Sequence, residues 1–392
     1  MHDIDSIYEW LVAGAPGART AKEVVARICP ELAAAGIPIV RIEAFVRTLH
    51  PQIVGRSFIW RPGAEVEVRE NSWSYLNSPA FMQSPAAKVF STGKPVRRNL
   101  MAAESLAEFP QLQELAREGM TDFFAGPLTF LSGQTQAITF ATRADGGFTA
   151  AHLAAIERVL IPLSRVGEIL ALHRTAANLL STYVGRGAGE RILAGQIMRG
   201  DTQSIRAVIW FSDIRGFSSM SERLPPTEII GVLNEIFDCQ VPAIESHGGE
   251  VLKFMGDGLL AIFPFSEGET APGRLCDQAL LAARDAFAQL AVLNAARQTR
   301  GLKPVTFGLA LHVGELAYGN IGGSGRLDFT CIGKAVNLAS RLEGLTSKLG
   351  RSVVLSEDFA AATNSAVTPL GNFELKGLDG MIAVFAPLVE LA

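Results

Sequence analysis

Apolar and polar positions recur along this chain with two different periods. Over residues 6–13 and 20–35 apolar side chains return every three or four positions, the spacing that gathers them on one helix face, whereas residues 39–49 and 57–68 are rich in strand-forming side chains. A strand pair is expected at 125–130 and 136–142, ended by Gly146-Gly147, and Thr149 offers an N-cap to the helix that follows. Along that helix Leu153, Ile156, Leu160, Leu163, Val166 and Leu170 form one apolar stripe, with Pro162 as an expected kink. A parallel partner helix would bury the stripe, as in signalling linkers; packing on the chain's own N-terminal domain would bury it too.

After Gly185, Gly187 and Gly189 the pattern changes. Residues 205–211 make a near-continuous apolar run of strand length that ends in Ser212-Asp213. A helix fits residues 226–246, with Ile229, Leu233, Ile236, Phe237 and Ile244 on one face and Pro242 interrupting it. Residues 250–255 and 259–263 flank Gly256-Asp257-Gly258 and predict a hairpin, because Asp-Gly supplies the positive φ that a tight turn needs. A helix at 279–296 and a strand at 305–313 follow. The order strand, helix, strand, strand, helix, strand predicts a ferredoxin-like α+β domain over residues 201–392, preceded by a mixed α/β domain over 1–165 and a helical linker over 166–200.

The balance of 35 basic and 39 acidic residues, a net charge of -4, provides no field to recruit nucleic acid. Cys29, Cys239, Cys276 and Cys331 are scattered without a CxxC pair, which fits buried thiols rather than disulfides or zinc. The six histidines lack ligand spacing, so neither haem nor a histidine-bound metal is expected. Asp3 and Asp5 stand where a secretion signal has basic residues, and no uncharged apolar run reaches eighteen. The expectation is a cytoplasmic protein with no membrane span.

The candidate chemistry starts from Asp213 and Asp257, acids that adjacent strand ends would bring side by side. Mg²⁺ requires oxygen ligands of this kind, and two such ions about 3.5–4 Å apart can clamp a triphosphate. Gly216-Phe217 then leads into a helix start whose free N–H groups suit phosphate oxygens.

Three segments carry a resemblance: Phe-Ser-Asp-Ile-Arg-Gly-Phe at 211–217, Gly-Glu-Val-Leu-Lys-Phe-Met-Gly-Asp-Gly at 249–258, and Asp-Phe-Thr-Cys-Ile-Gly-Lys-Ala-Val-Asn-Leu-Ala-Ser-Arg-Leu-Glu at 328–343. In this order they resemble the signature blocks of class III adenylate and guanylate cyclases. The resemblance covers about residues 200–388 and implies a head-to-tail homodimer with composite sites at the interface. It assigns two Mg²⁺ ions per site, with Mn²⁺ as the substitute, to Asp213, Asp257 and the Ile214 carbonyl. It makes Asn337 and Arg341 the catalytic pair reached from the partner chain, and Lys376 the holder of the terminal phosphates. Lys253 and Thr330 fall at the positions that select the purine. A donor at 253 suits adenine N1, where guanylate cyclases resemble one another in having Glu, and the Thr330 hydroxyl, as in the class IIIb subgroup, can accept from adenine N6. ATP is therefore the expected substrate. Some members of that subgroup respond to bicarbonate, although no residue here specifies a site for it.

Lys334 departs from the family, which usually has Asp or Asn after the glycine. Guanylate cyclase activity and a silent nucleotide-binding or dimerising module are the rival functions, while a diguanylate cyclase is disfavoured by Lys-Phe-Met-Gly-Asp in the hairpin. The layout of residues 1–165 is similar to GAF-like sensor domains, with an unnamed small-molecule or protein signal. Trp60, Trp73, Tyr75 and His50 are its candidate pocket residues.

Overall fold

The computed structural model describes residues 4–265, 272–378 and 380–390, and the chain divides into two compact units, Met1–Leu179 and Leu180–Ala392. The first contains α1 (Ile4–Val12), α2 (Ala21–Ala34), β1 (Ile39–Arg47), β2 (Ile53–Trp60), β3 (Glu67–Ser72), α3 (Pro79–Met82), α4 (Pro85–Thr92), β4 (Val96–Asn99), α5 (Ala103–Glu108), α6 (Gln111–Arg117), β5 (Asp122–Thr129) and β6 (Thr135–Thr142). Helix α7 (Ala150–Val184) begins in this unit and ends in the second.

The strands of the first unit form one antiparallel sheet in the order β3-β2-β1-β6-β5-β4. Because strand side chains alternate between faces, Phe124, Ile138 and Phe140 meet α1, α2 and α7, whereas Phe123, Ala125 and Ala137 meet α4 and α6. Thr20 caps α2 by accepting from the Glu23 N–H at 3.2 Å, and Thr149 accepts from the His152 N–H at 3.2 Å, the cap expected for α7.

The stripe on α7 packs on its own unit. Ile156, Leu160, Leu163 and Val166 are buried in the core with α1 and α2, and Leu153 and Leu170 pack against it. A partner helix is therefore not what covers these residues, and Ile161, Ile169 and Leu172 lie exposed on the other side. Gly126 makes the close packing possible, since a Cβ there would overlap the Leu160 side chain. One other expectation is corrected. The strand expected over 57–68 is broken into β2 and β3 by a turn at Pro62-Gly63, because proline lacks the N–H a ladder bond needs and Gly63, at φ +74°, leaves the extended backbone. Pro162 lies inside α7.

In the second unit α8 (Arg186–Leu193) precedes β7 (Thr202–Ile214), α9 (Phe217–Ser221), α10 (Pro226–Ser246), β8 (Glu250–Met255), β9 (Gly258–Pro264), α11 (Pro272–Thr299) and β10 (Phe307–Gly323). Then come β11 (Arg326–Ile332), α12 (Lys334–Leu349), β12 (Val353–Ser356), α13 (Glu357–Ala362), β13 (Val367–Glu374) and β14 (Met381–Pro387). The predicted helix at 226–246 and hairpin at 250–263 are present with Pro242 accommodated inside α10, and β10 extends well beyond the predicted strand.

The sheet runs β13-β14-β12-β10-β7-β9-β8, with β11 folded back on the far end of β10. Strands β7, β8, β9 and β10 with α10 and α11 make the ferredoxin-like α+β core. Val208 and Trp210 face α10 and α11, while Ala207 and Ile209 face the side where α8 and α12 pack. Helix α11 is long and apolar enough to cross a membrane, with hydropathy 1.2, yet Cys276, Ala279, Ala283 and Phe287 lie buried against the sheet, as in a core helix. All four cysteines are free and buried.

Asp122 ties the first unit together. Its side chain is 3% exposed and accepts from Arg97 Nε at 3.1 Å and Nη2 at 2.7 Å, and from the N–H groups of Phe148 and Phe123 at 2.9 Å each. Gly147, at φ +74°, leaves the room this requires, because a Cβ there would run into the Asp122 carboxyl. Asp122→Ala strands these donors and should destabilise the first unit by about 3 kcal/mol. Urea unfolding should show the loss, with faster hydrogen exchange in β4 and β5.

Candidate active site

Asp213 is the penultimate residue of β7, a strand whose preceding positions Ala207 to Trp210 are fully buried. A strand so deeply held fixes the direction of the carboxyl at its end. Both cross-strand neighbours of Asp213 are glycines, Gly258 on β9 and Gly308 on β10. No side chain from either strand crowds the carboxylate. Asp257 occupies the turn between β8 and β9, after Gly256 at φ +68°, near enough for its charge to act on Asp213.

Asp213 is disturbed by its surroundings. Burial, followed by the charge of Asp257, raises Asp213 to about 6 although the Ile214 N–H pulls it down. A divalent cation would relieve this crowding, so the donor set fits hard cations with oxygen ligands. Among the described residues no three His, Cys, Asp or Glu side chains converge as a ready metal cage. Two carboxylates suit an ion that retains waters and binds substrate phosphates. The Ile214 side chain is buried against α10 and α11, and the residue ends β7 directly after Asp213.

Gly216, at φ +70°, starts the short helix α9, which has no side-chain cap, and Phe217 packs partly on the core. This leaves the N-terminal amides of α9 without a competing side chain.

Lys253 lies on β8, four residues before Asp257. Its ammonium donates to Asp328 Oδ2 on β11. Strand β11 is paired to β10 with Asp328 opposite Ile321 and Thr330 opposite Gly319, so Asp328 and Thr330 share one face by alternation. The sequence indicated Lys253 and Thr330 and passed over Asp328, whose signal was this two-residue spacing.

Helix α12 buries Ala335, Ala339, Leu342 and Leu345 on the sheet and leaves Asn337 and Arg341 exposed, one turn apart. Neither of these two side chains makes a hydrogen bond or ion pair among the described residues. No hydrogen bond or ion pair thus ties them to the Asp213–Asp257 pair of their own chain. Lys334 is exposed in the first turn. Lys376 is exposed just after β13, at the opposite edge of the sheet from β8, and is likewise not brought to the acids within one chain.

A second unforeseen residue is Glu343 on α12, which burial and then the charge of Asp213 push up to about 7, against the pull of the Thr346 hydroxyl and Arg215. In the first unit, Trp60 lies in the core facing the helices and Tyr75 packs in an aromatic group with Phe45 and Phe81. Trp73 donates its indole N–H to the His50 carbonyl at 3.0 Å. These four residues do not line one pocket.

The adenylate and guanylate cyclase catalytic domain model matches residues 201–386. The chain is 38% identical over 162 residues to an adenylate cyclase of Anabaena cylindrica, covering 40% of this chain and 31% of that protein. It is 27% identical over 260 residues to adenylate cyclase 1 of Rhizobium meliloti (strain 1021), covering 66% of this chain and 37% of that one. It thus spans about a third of the length of these relatives. A solved bacterial light-regulated adenylyl cyclase shares the fold, with TM-score 0.50 and 22% identity over 66% of this chain and 84% of that one. Residues 201–386, which carry the paired strand-end acids, form a catalytic domain of the class III adenylate and guanylate cyclase family.

Proposed function

We propose that this chain is an adenylate cyclase that converts ATP to 3′,5′-cyclic AMP and pyrophosphate. The observation that carries this reading is one hairpin, β8–β9, bearing both Asp257 beside Asp213 and Lys253 held toward β11. A purine edge reader and a cation site stand four residues apart on the same rigid element.

Asp213, Asp257 and the Ile214 carbonyl would hold two Mg²⁺ ions, which when bound supply charge neutralisation on the triphosphate and activation of the ribose 3′-hydroxyl. Lys253 donates to adenine N1 and the Thr330 hydroxyl accepts from N6. Guanine offers the reverse pattern, with an N1–H donor facing the ammonium, and is rejected because buried polar groups would be left unpaired. The amides after Gly216 and Phe217 receive phosphate oxygens. Asn337 orients the ribose so that O3′ lies in line with the α-phosphorus, and Arg341 stabilises the charge that develops there. Lys376 takes the pyrophosphate as it leaves.

Asn337, Arg341 and Lys376 are exposed and make no hydrogen bond or ion pair among the described residues, which supports a homodimer in which each site draws on both protomers. The mixed α/β first unit, followed by α7, suits a GAF-like regulatory domain whose ligand biases the catalytic dimer. The charge and hydropathy of the chain fit a cytoplasmic location.

Turnover of ATP and GTP by the purified full chain, with Mg²⁺ and with Mn²⁺, tests the activity. Cyclic AMP from ATP should exceed cyclic GMP from GTP by at least about 100-fold, and Asp257→Ala should lose about 1,000-fold or more. Cyclic GMP as the main product would defeat the purine assignment while leaving the fold intact.

Composite sites make a second prediction. Asp257→Ala and Arg341→Ala should each be inactive alone, and an equal mixture should regain about a quarter of wild-type activity, since half the dimers then carry one intact site of two. No recovery on mixing, under conditions where subunits exchange, would place both groups in one chain's site.

The raised carboxyls also give stability a pH dependence. The unfolded chain ionises Asp near pH ~4, whereas folded Asp213 ionises at about 6, so the metal-free fold loses stability as pH rises through that interval. Asp213→Asn should therefore gain thermal stability relative to wild type from pH ~4 to ~7 when cations are chelated. A difference that does not change with pH would show that Asp213 is not crowded.

A further inference from the structure

A third carboxyl faces Asp213 from helix α12. Gly308 is directly opposite Asp213 in the β7–β10 ladder, so a side chain there would rise on the same sheet face, with β-carbons about 5 Å apart. The carboxyl of Glu343 occupies that space instead: a Cβ on Gly308 would overlap Glu343 Oε1 and Thr346 Oγ1. Thr346 holds the group by donating its hydroxyl to Glu343 Oε1 at 3.1 Å. Its second oxygen accepts no hydrogen bond among the described residues.

Nor is its charge offset by an ion pair among the described residues. Arg215 is close enough to act on it electrostatically, but the Arg215 guanidinium donates to the Arg351 carbonyl. Glu343 is thus placed by a glycine, tethered by a hydroxyl, and set beside two other acids. In the empty protein that arrangement is unfavourable, because three partly buried negative groups repel one another. A divalent cation held at Asp213 and Asp257 would make it favourable.

We propose that Glu343 is a positioning residue for the cations at Asp213 and Asp257, accepting hydrogen bonds from their water shell and adding negative charge without being an inner ligand. The proposal rests on reading those two aspartates as cation ligands. Mg²⁺ and Mn²⁺ bound by few carboxylates keep several waters, and groups that receive those water protons tune affinity by about 10–100-fold. Gly308 and Thr346 acquire a purpose in the same stroke: one clears the space, the other aims the acceptor.

The test uses the full chain and needs no turnover. Mn²⁺ affinity is measured by the electron paramagnetic resonance signal of free Mn²⁺, and thermal unfolding is followed in chelator and in Mn²⁺. Glu343→Gln should weaken Mn²⁺ about tenfold, with an unfolding temperature equal to or above wild type in chelator and below it in saturating Mn²⁺. Thr346→Val, which keeps the carboxylate but frees it, should weaken Mn²⁺ by a few-fold, and Glu343→Asp should fall between wild type and Glu343→Gln. A lower unfolding temperature by the same amount with and without Mn²⁺ would make Glu343 merely structural and overturn the proposal. So would unchanged Mn²⁺ affinity in Glu343→Gln. If wild type binds Mn²⁺ no better than Asp257→Ala, the cation reading of the aspartates fails first and takes this proposal with it.

Discussion

The catalytic unit is organised around the cost of holding like charges together at the end of a buried strand. Asp213 can be crowded only because β7 cannot move away: Ala207 to Trp210 are fully buried, and it is paired along most of its length with both β9 and β10. The row Gly308, Asp213, Gly258 then leaves the acid flanked by bare backbone. A larger residue at Gly308 would run into the side chains of Glu343 and Thr346. The core thus supplies the rigidity that electrostatic repulsion would otherwise defeat, and an oppositely charged ligand recovers the energy.

Helix α12 meets three demands with one period. Its buried stripe, Ala335, Ala339, Leu342 and Leu345, fixes its rotation on the sheet. That rotation alone decides that Asn337 and Arg341 point to solvent, while Glu343 and Thr346 turn toward Gly308. The same packing that stabilises the fold therefore separates two polar groups that face solvent from the one that faces the acids of its own chain. A slip of one residue would exchange these roles, so the small residues Ala335 and Ala339 matter as register marks as much as for burial.

What the sequence revealed follows the strength of its local signals. Helix α10 was legible to the residue and the β8–β9 hairpin to within one residue, because a long 3.6-residue period and an Asp-Gly turn are strong patterns. The region 73–117 was not, since its short helices begin at serine and proline caps and have too few turns to show a period. The stripe on α7 was seen correctly as a face, but periodicity says which side is buried and not by what. At the site, Asp213, Asp257 and Lys253 lay within recognisable blocks. Asp328 and Glu343 lie at the two ends of the third block, but their partners do not follow from it: Asp328 meets Lys253 across 75 residues, and Glu343 meets Gly308 from another element.

The Lys253–Asp328 pair shows why a contact of little energy can still be informative. With the side chains 40% and 53% exposed, the pair lies in the range where ion pairs contribute little to stability. Stability therefore does not explain it. Its effect is on order: a lysine head on four carbons has many positions, and one fixed acceptor reduces them to those within reach of Asp328. The ammonium has three donors, so one can satisfy Asp328 while others remain for a purine nitrogen. With Thr330 two residues along the same strand face, a directed donor and an acceptor-capable hydroxyl stand side by side. The proposed preference for ATP rests on that juxtaposition, since adenine N1 accepts where its N6 donates, whereas guanine N1 donates.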